Sequence, residues 1–147
     1  MKPFTGFEPP RLFIDTWGWL SLEDRNDPAH DEVLNIRRSA RPGFWITTDY
    51  VMDETVTRLF SRRPFPEAAE FCAELFRAAE SGWLQVEPVT PERFRAAYQL
   101  RLRYRDKPRI SFTDLTSFVV MRELGIRQVL TADAHFEQAH LGFRKLP

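Results

Sequence analysis

The chain has 147 residues, of which 43% are hydrophobic and 14% aromatic; this suits one domain with a well-filled core and excludes a disordered chain. Lysine plus arginine and aspartate plus glutamate each number 21, so the formal net charge is zero and any nucleic-acid site must be a local basic patch. A single cysteine, Cys72, excludes an internal disulfide. Neither a bilayer-spanning apolar stretch nor an N-terminal signal run is present, so we expect a cytoplasmic protein.

The chain is predicted to start with an extended arm and to fold as one domain after it. Residues 1–10 contain Pro3, Pro9 and Pro10 around Gly6, so the arm is placed there and the domain at residues 11–147. Short runs of apolar and β-forming residues predict strands at 12–14, 44–48, 83–86, 128–131 and 143–146. Helical patterns lie between them, at about 29–40, 50–62, 66–80, 91–105, 113–124 and 134–140. Alternating strands and helices indicate an α/β domain whose mainly parallel sheet is covered on both faces.

Four acidic residues are predicted to lie at the carboxyl edge of this sheet, where open parallel sheets bind their ligands. Asp15 ends the first strand and Asp133 follows the fourth. Glu54 comes about one turn into the helix after the second strand, and Asp114 lies at the start of the helix that precedes the fourth strand. The four acids therefore come from four separate segments that can reach one edge.

Each acid also has an ordinary structural interpretation. Asp is a favoured helix N-cap, which is an alternative for the two acids that follow strands. Glu54 and Arg58 are spaced i, i+4 like an exposed helix pair, and Asp114 has loose capping-box spacing to Ser111. A cap and a catalytic acid can coexist at Asp114.

The grouping of four carboxylates indicates a metal site. Carboxylates brought together repel one another and have raised pKa values unless a cation lies among them. With oxygen ligands and no His or Cys in the pattern, we expect Mg²⁺ or Mn²⁺. Such ions bind substrate phosphates and activate water, which points to phosphodiester chemistry.

Four segments, in this order and spacing, resemble the PIN-domain family and, within it, the VapC-type toxins of bacterial toxin-antitoxin pairs. They are Phe13-Ile14-Asp15-Thr16, Thr47-Thr48-Asp49-Tyr50-Val51-Met52-Asp53-Glu54-Thr55, Ser111-Phe112-Thr113-Asp114 and Val129-Leu130-Thr131-Ala132-Asp133-Ala134-His135-Phe136. The resemblance spans nearly the whole chain and implies a three-layer α/β/α PIN-like domain. It assigns the family's four acids to Asp15, Glu54, Asp114 and Asp133, and favours Glu54 over the neighbouring Asp53.

The resemblance also implies an activity and partners. It implies metal-assisted hydrolysis of an RNA phosphodiester without a covalent protein nucleophile, inhibition by a small antitoxin protein, and a homodimer. The family's hydroxyl near the fourth acid falls on Thr131, which can position water or phosphate. Thr16 can act similarly, although a role as a helix-start hydroxyl is an equal alternative. His135 is a further candidate beside the acids.

A basic run leads into the Asp114 segment and is a candidate RNA-binding surface. Such a run can hold the phosphates of a single strand while Tyr104 stacks on a base, although a solvated helix end is the simpler interpretation of each arginine. The predicted RNA-binding residues are Arg101, Arg103, Tyr104, Arg105, Lys107 and Arg109.

Three other functions are compatible with this pattern. The first is a PIN nuclease of RNA processing that has no antitoxin. The second is a phosphotransfer domain phosphorylated on Asp15, but such proteins usually carry a second Asp where this chain has Trp17. The third is a catalytically silent binding domain, against which the four intact acids argue.

Overall fold

The central element is a five-stranded parallel sheet, seen in a computed structural model that describes residues 10–147. Its strands are β1 Leu12–Ile14, β2 Trp45–Thr48, β3 Leu84–Glu87, β4 Gln128–Leu130 and β5 Arg144–Leu146. The helices are α1 Thr16–Glu23, α2 His30–Arg38, α3 Asp49–Arg62, α4 Phe65–Glu80, α5 Pro91–Arg103, α6 Phe112–Leu124 and α7 His135–Gln138. Apart from Pro10, the predicted N-terminal arm lies outside the described residues.

The strand order β3-β2-β1-β4-β5 creates a crevice beside the central strand β1. The chain winds outward from β1 to β3, returns to β4 on the other side of β1, and ends at β5. Right-handed crossovers put α1 to α4 on one face and α5 to α7 on the other. The packing agrees, because α3 packs on α1 and α4, and α6 packs on α5 and α7. The winding direction reverses between β1 and β4, which is where such sheets form their binding crevice.

The two central strands are buried on both faces. Phe13, Ile14, Val129 and Leu130 are completely inaccessible to solvent. Strands covered by helices on both sides become continuous apolar runs, and this is why the sequence pattern located them. Both central strands therefore end at fixed positions, and the residues that follow them are held rigidly.

The predicted α/β class and all five strands are confirmed, with each strand boundary within one residue of its predicted position. The six predicted helices are also present, although the one predicted at 91–105 ends at Arg103 and the last spans only His135–Gln138. Among residues 10–147 no helix is long and apolar enough to span a bilayer.

Helix α1 was not predicted from the sequence. It contains glycine and tryptophan, which are modest helix formers, and it buries residues on several sides, so no amphipathic period is visible. A Cβ on Gly18 would lie 2.9 Å from Leu130 Cδ2 and 3.0 Å from the Leu130 carbonyl oxygen. The glycine therefore lets α1 approach β4 closely, and tertiary packing stabilises the helix.

Candidate active site

Asp15 lies at the carboxyl end of β1 with its side chain turned into the crevice. It occupies the N-cap position of α1, but its carboxylate makes no capping hydrogen bond. Instead, Oδ2 accepts a hydrogen bond of 2.8 Å from the Thr131 hydroxyl, and the residue is only 6% exposed. The N-cap interpretation of this carboxylate is therefore wrong.

Thr131 links the first and fourth acids. Its hydroxyl donates to Asp15 and accepts a 3.0 Å hydrogen bond from the backbone N–H of Asp133. Thr131 follows β4 directly and is 1% exposed. The hydroxyl thereby fixes the positions of two carboxylate-bearing segments relative to each other.

Asp114 and Asp133 approach each other from α6 and from the turn after β4. Asp114 is buried, and its capping box with Ser111 is present. The backbone nitrogen of Asp114 lies 3.0 Å from Ser111 Oγ, and the backbone nitrogen of Ser111 lies 3.4 Å from Asp114 Oδ2. Asp133 is partly exposed, and its Oδ1 accepts a 2.8 Å hydrogen bond from the backbone N–H of His135. The cap and the crevice position coexist at Asp114.

The His135 ring completes this side of the crevice. Its Nδ1 lies 3.1 Å from Asp133 Oδ1 and 3.5 Å from Asp114 Oδ2. One ligand atom from each of the three residues lies within 4.8 Å of the others, close enough to hold one ion. His135, the candidate that the sequence placed beside the acids, therefore lies against two of them.

Glu54 makes the predicted pair with Arg58 and also lies near Asp15. Its carboxylate is paired with Arg58 at 2.6 Å, in the i, i+4 arrangement. The same carboxylate is near enough to Asp15 for its charge to raise the pKa of Asp15. Glu54 therefore lies near the crevice, and Arg58 neutralises part of its charge.

The two buried acids have strongly raised pKa values. Burial, followed by the negative charge of Asp114, raises the pKa of Asp15 to about 7, against the lowering effect of the Thr131 hydroxyl. Burial and the charge of Asp133 raise the pKa of Asp114 to about 6. A positive charge bound beside these two acids would favour their ionised forms and lower both pKa values.

The donor set fits a divalent metal ion. Carboxylate oxygens of Asp114 and Asp133 converge with the buried Nδ1 atom of His135, and the Asp15 carboxylate lies near enough for the charge of Asp114 to raise its pKa. Converging anionic oxygens and an unpaired ring nitrogen are metal ligands. Asp15, Asp114 and Asp133 would hold the ion, with Glu54 at the edge of the group.

Two predicted RNA-binding residues have structural roles. The Arg101 guanidinium donates to the carbonyl oxygens of Tyr104, Lys107 and Ile110 at 2.6 to 2.7 Å. Tyr104 is 7% exposed and its hydroxyl donates to the Ala139 carbonyl at 2.8 Å, so its ring offers no free face for base stacking. The stacking prediction for Tyr104 is therefore wrong.

The other members of the basic run lie nearer the surface. Lys107 pairs with Asp106 at 3.0 Å and lies 5.9 Å from the centre of the Tyr104 ring. Arg103, Arg105 and Arg109 are exposed. These three guanidinium groups stay available to phosphate groups.

The PIN-domain family model matches residues 12–140 of this sequence. The chain belongs to the PIN-domain family. This PIN domain is 33% identical, over 128 residues, to the 23S rRNA-specific endonuclease VapC20 of Mycobacterium tuberculosis, in two strains; the match covers 87% of this chain and 93% of the relative. Its fold matches the crystal structure of M. tuberculosis VapC20, described as a Sarcin-Ricin loop cleaving toxin, with a TM-score of 0.79. That match has 30% identity and covers 92% of this chain and 98% of the other.

The structure of this PIN domain brings its four predicted acids to one end of the sheet, and it places the ring of His135 against two of them. The only signal for His135 was its position two residues after Asp133. That spacing matters because the backbone N–H of His135 bonds the Asp133 carboxylate and turns the ring toward Asp114.

Proposed function

We propose that this chain is a metal-dependent endoribonuclease that acts as the toxin of a type II toxin-antitoxin pair. The observation that carries the proposal is the pair of buried acids, Asp15 and Asp114, whose pKa values are raised at the switch point of a PIN-domain sheet. Two buried carboxylates would destabilise the fold without a cation. Similarity to VapC20, an endonuclease and toxin by name, supports the same activity.

The catalytic group comprises Asp15, Glu54, Asp114 and Asp133 as ligands of Mg²⁺ or Mn²⁺, with Thr131 positioning two of them. A bound divalent ion supplies positive charge to the scissile phosphate and lowers the pKa of water. The protein supplies rigid carboxylates that orient the ion, because Asp15 follows a buried strand and Asp114 is fixed by its capping box. No side chain is required as a covalent nucleophile.

RNA is the proposed substrate, and 23S rRNA is the first candidate because VapC20 is named for it. Arg103, Arg105, Lys107 and Arg109 precede α6, the helix whose first turn carries Asp114. Arginine and lysine contacts to phosphates set the position of a nucleic acid without selecting its sequence. The basic run would therefore position the RNA backbone beside the acids.

A small antitoxin and a second copy of the chain are the proposed protein partners. Large hydrophobic side chains are exposed at Phe65, Phe76, Phe94, Tyr98 and Leu102. Exposed apolar groups of this size are typical of protein contact surfaces. A basic antitoxin side chain would be attracted to the carboxylates for the same reason as a metal ion.

Cleavage of purified RNA tests the nuclease. We expect the wild-type protein to cleave a 23S rRNA fragment with Mg²⁺ or Mn²⁺ and to stop when EDTA is added. Asp114→Asn is expected to lower the rate by about two orders of magnitude or more. Asp53→Asn is the matched control, because Asp53 is exposed beside Glu54 and lies outside the proposed ligand set. Cleavage that survives both EDTA and Asp114→Asn would refute the mechanism.

Growth assays separate a toxin from a nuclease of RNA processing. Expression of the wild type alone is expected to arrest bacterial growth, and co-expression of the neighbouring small reading frame is expected to restore it. Asp15→Asn should relieve the arrest while the antitoxin complex still co-purifies. A harmless wild type without a co-purifying partner would leave RNA processing as the function.

A further inference from the structure

His135 is placed like a metal ligand. The Nδ1 atom is 3.1 Å from Asp133 Oδ1 and 3.5 Å from Asp114 Oδ2. Two adjacent ligands on an octahedral ion with bonds of ~2.1 Å lie ~3 Å apart, because their bonds meet at a right angle. The two measured distances are close to this value, so one ion can contact all three atoms.

The ring is held in this position by the fold. The backbone N–H of His135 donates to Asp133 Oδ1 at 2.8 Å, which fixes the first turn of α7 against the acid. The next residue, Phe136, is completely buried and packs edge-on against Phe118 with ring centres 5.0 Å apart. The imidazole is therefore anchored from both its backbone and its neighbour.

A hydrogen bond from Nδ1 to one carboxylate is the alternative to metal coordination. Nδ1 is buried, and at 3.1 and 3.5 Å from two carboxylate oxygens it makes a well-aligned hydrogen bond to neither. An unpaired buried polar atom is costly, and natural structures usually provide such an atom with a partner. Two carboxylate oxygens beside it make a cation the partner that satisfies all three atoms.

We propose that His135 Nδ1 is a direct nitrogen ligand of a divalent ion shared with Asp114 and Asp133, and that it makes this site prefer Mn²⁺ to Mg²⁺. The inference rests on the proposed metal-dependent function. Imidazole binds transition metals well, whereas Mg²⁺ prefers oxygen ligands and keeps its waters. Coordination through Nδ1 requires the neutral imidazole with its proton on Nε2.

Pulsed electron paramagnetic resonance of Mn²⁺ bound to the untagged protein tests the ligand directly. We expect the wild type to show modulation from a directly coordinated ¹⁴N nucleus. His135→Asn should abolish it, because the asparagine amide can donate a hydrogen bond from about the position of Nδ1 but is a poor metal ligand. His140→Asn is the matched control, since His140 is exposed and its left-handed φ of 54° suits asparagine.

Calorimetric titration with each metal tests the preference. The preference for Mn²⁺ over Mg²⁺, as a ratio of Kd values, should fall by about tenfold or more in His135→Asn, with little change in the Mg²⁺ affinity. An unchanged ratio in His135→Asn, or wild-type Mn²⁺ without a ¹⁴N signal, overturns the inference and leaves the nuclease proposal intact. Failure of the wild type to bind either ion overturns the proposed function as well.

Discussion

At the scale of single residues, the active crevice is a set of groups that oppose one another in the absence of a cation. Asp15 is 6% exposed, and both the burial and the nearby Asp114 disfavour its ionisation. Thr131 opposes this by donating a hydrogen bond to the carboxylate, which lowers the pKa. Ionised Asp15 is therefore costly in this environment, and a positive charge beside it would reduce that cost.

The raised pKa of Asp15 predicts a pH dependence of stability in EDTA. The folded-state pKa is about 7 and the unfolded value is 3.8, so the folded protein binds the proton more tightly. Stability should consequently fall as pH rises from about 4 to about 7, by on the order of 1.4 kcal/mol for each unit of the pKa difference, and level off above it. Denaturant unfolding at a series of pH values measures this loss.

Asp15→Asn should make the decline with pH shallower, because the amide does not titrate. The raised pKa of Asp114, about 6, should leave a smaller decline that ends near pH 6. Above pH 7, in EDTA, the variant is expected to be at least as stable as the wild type. Parallel pH profiles for the two proteins would show that Asp15 is not the titrating group.

Thr131→Val tests the hydroxyl that links Asp15 to Asp133. The variant keeps the shape of the side chain but removes a donor to Asp15 Oδ2 and an acceptor for the Asp133 N–H. We expect a loss of about 1–3 kcal/mol in stability and a tenfold to hundredfold loss of metal affinity. Thr131→Ser keeps the hydroxyl and should retain most of the affinity, measured by calorimetry. Equal losses in both variants would assign the effect to packing alone.

At the scale of elements, α1 positions Asp15 because the helix begins immediately after it. Gly18 brings the helix against β4, and a Cβ there would meet Leu130 at 2.9 to 3.0 Å. Gly18→Ala should therefore destabilise the fold by about 1–3 kcal/mol, despite the better helix propensity of alanine. Thermal unfolding measures the effect, with Thr57→Ala in α3 as the exposed control. An unchanged stability would mean that α1 can move away from β4 without loss.

The segment between α5 and α6 is organised by one arginine, while its exposed arginines are the proposed RNA contacts. Arg101→Ala leaves three carbonyl oxygens without their charged donor, so we expect a loss of about 1–3 kcal/mol in stability. Arg103→Ala should leave stability unchanged and weaken RNA binding, with a shallower dependence on salt concentration. Denaturant unfolding and RNA titrations at several salt concentrations separate the two effects. The reverse result would place the RNA contact at Arg101.

At the scale of the whole molecule, a bound metal should stabilise the entire fold. The proposed ligands come from the residue after β1, from α3, from α6 and from the turn before α7, so unfolding of any of these parts would break the site. A divalent ion at 100 times its Kd should raise the free energy of unfolding by about 2.7 kcal/mol. Calorimetric scans with Mg²⁺, Mn²⁺ and EDTA measure the shift in Tm. The double variant Asp15→Asn, Asp114→Asn is the control, and an equal metal-induced shift in it would place binding elsewhere.

The sequence alone determined the strands and the positions of the acids along the chain. Strands such as Leu12–Ile14 can be predicted from the sequence because burial on both faces requires a continuous apolar run. Asp15 and Asp133 can be identified because each directly follows such a run or lies shortly after it. The order of motifs was enough to suggest the PIN family, which the family match confirms. These features depend on residues that are neighbours in sequence.

Only the tertiary structure decided which other groups join or leave the site. Helix α1 depends on the fit of Gly18 against Leu130, and these residues are far apart in the chain. Tyr104 looked like a surface group, but its hydroxyl donates a hydrogen bond to the carbonyl of Ala139, which is distant in the sequence. His135 meets Asp114 only after α6 and β4 are packed together. Such long-range contacts leave no local pattern, because nothing in the nearby sequence specifies the partner.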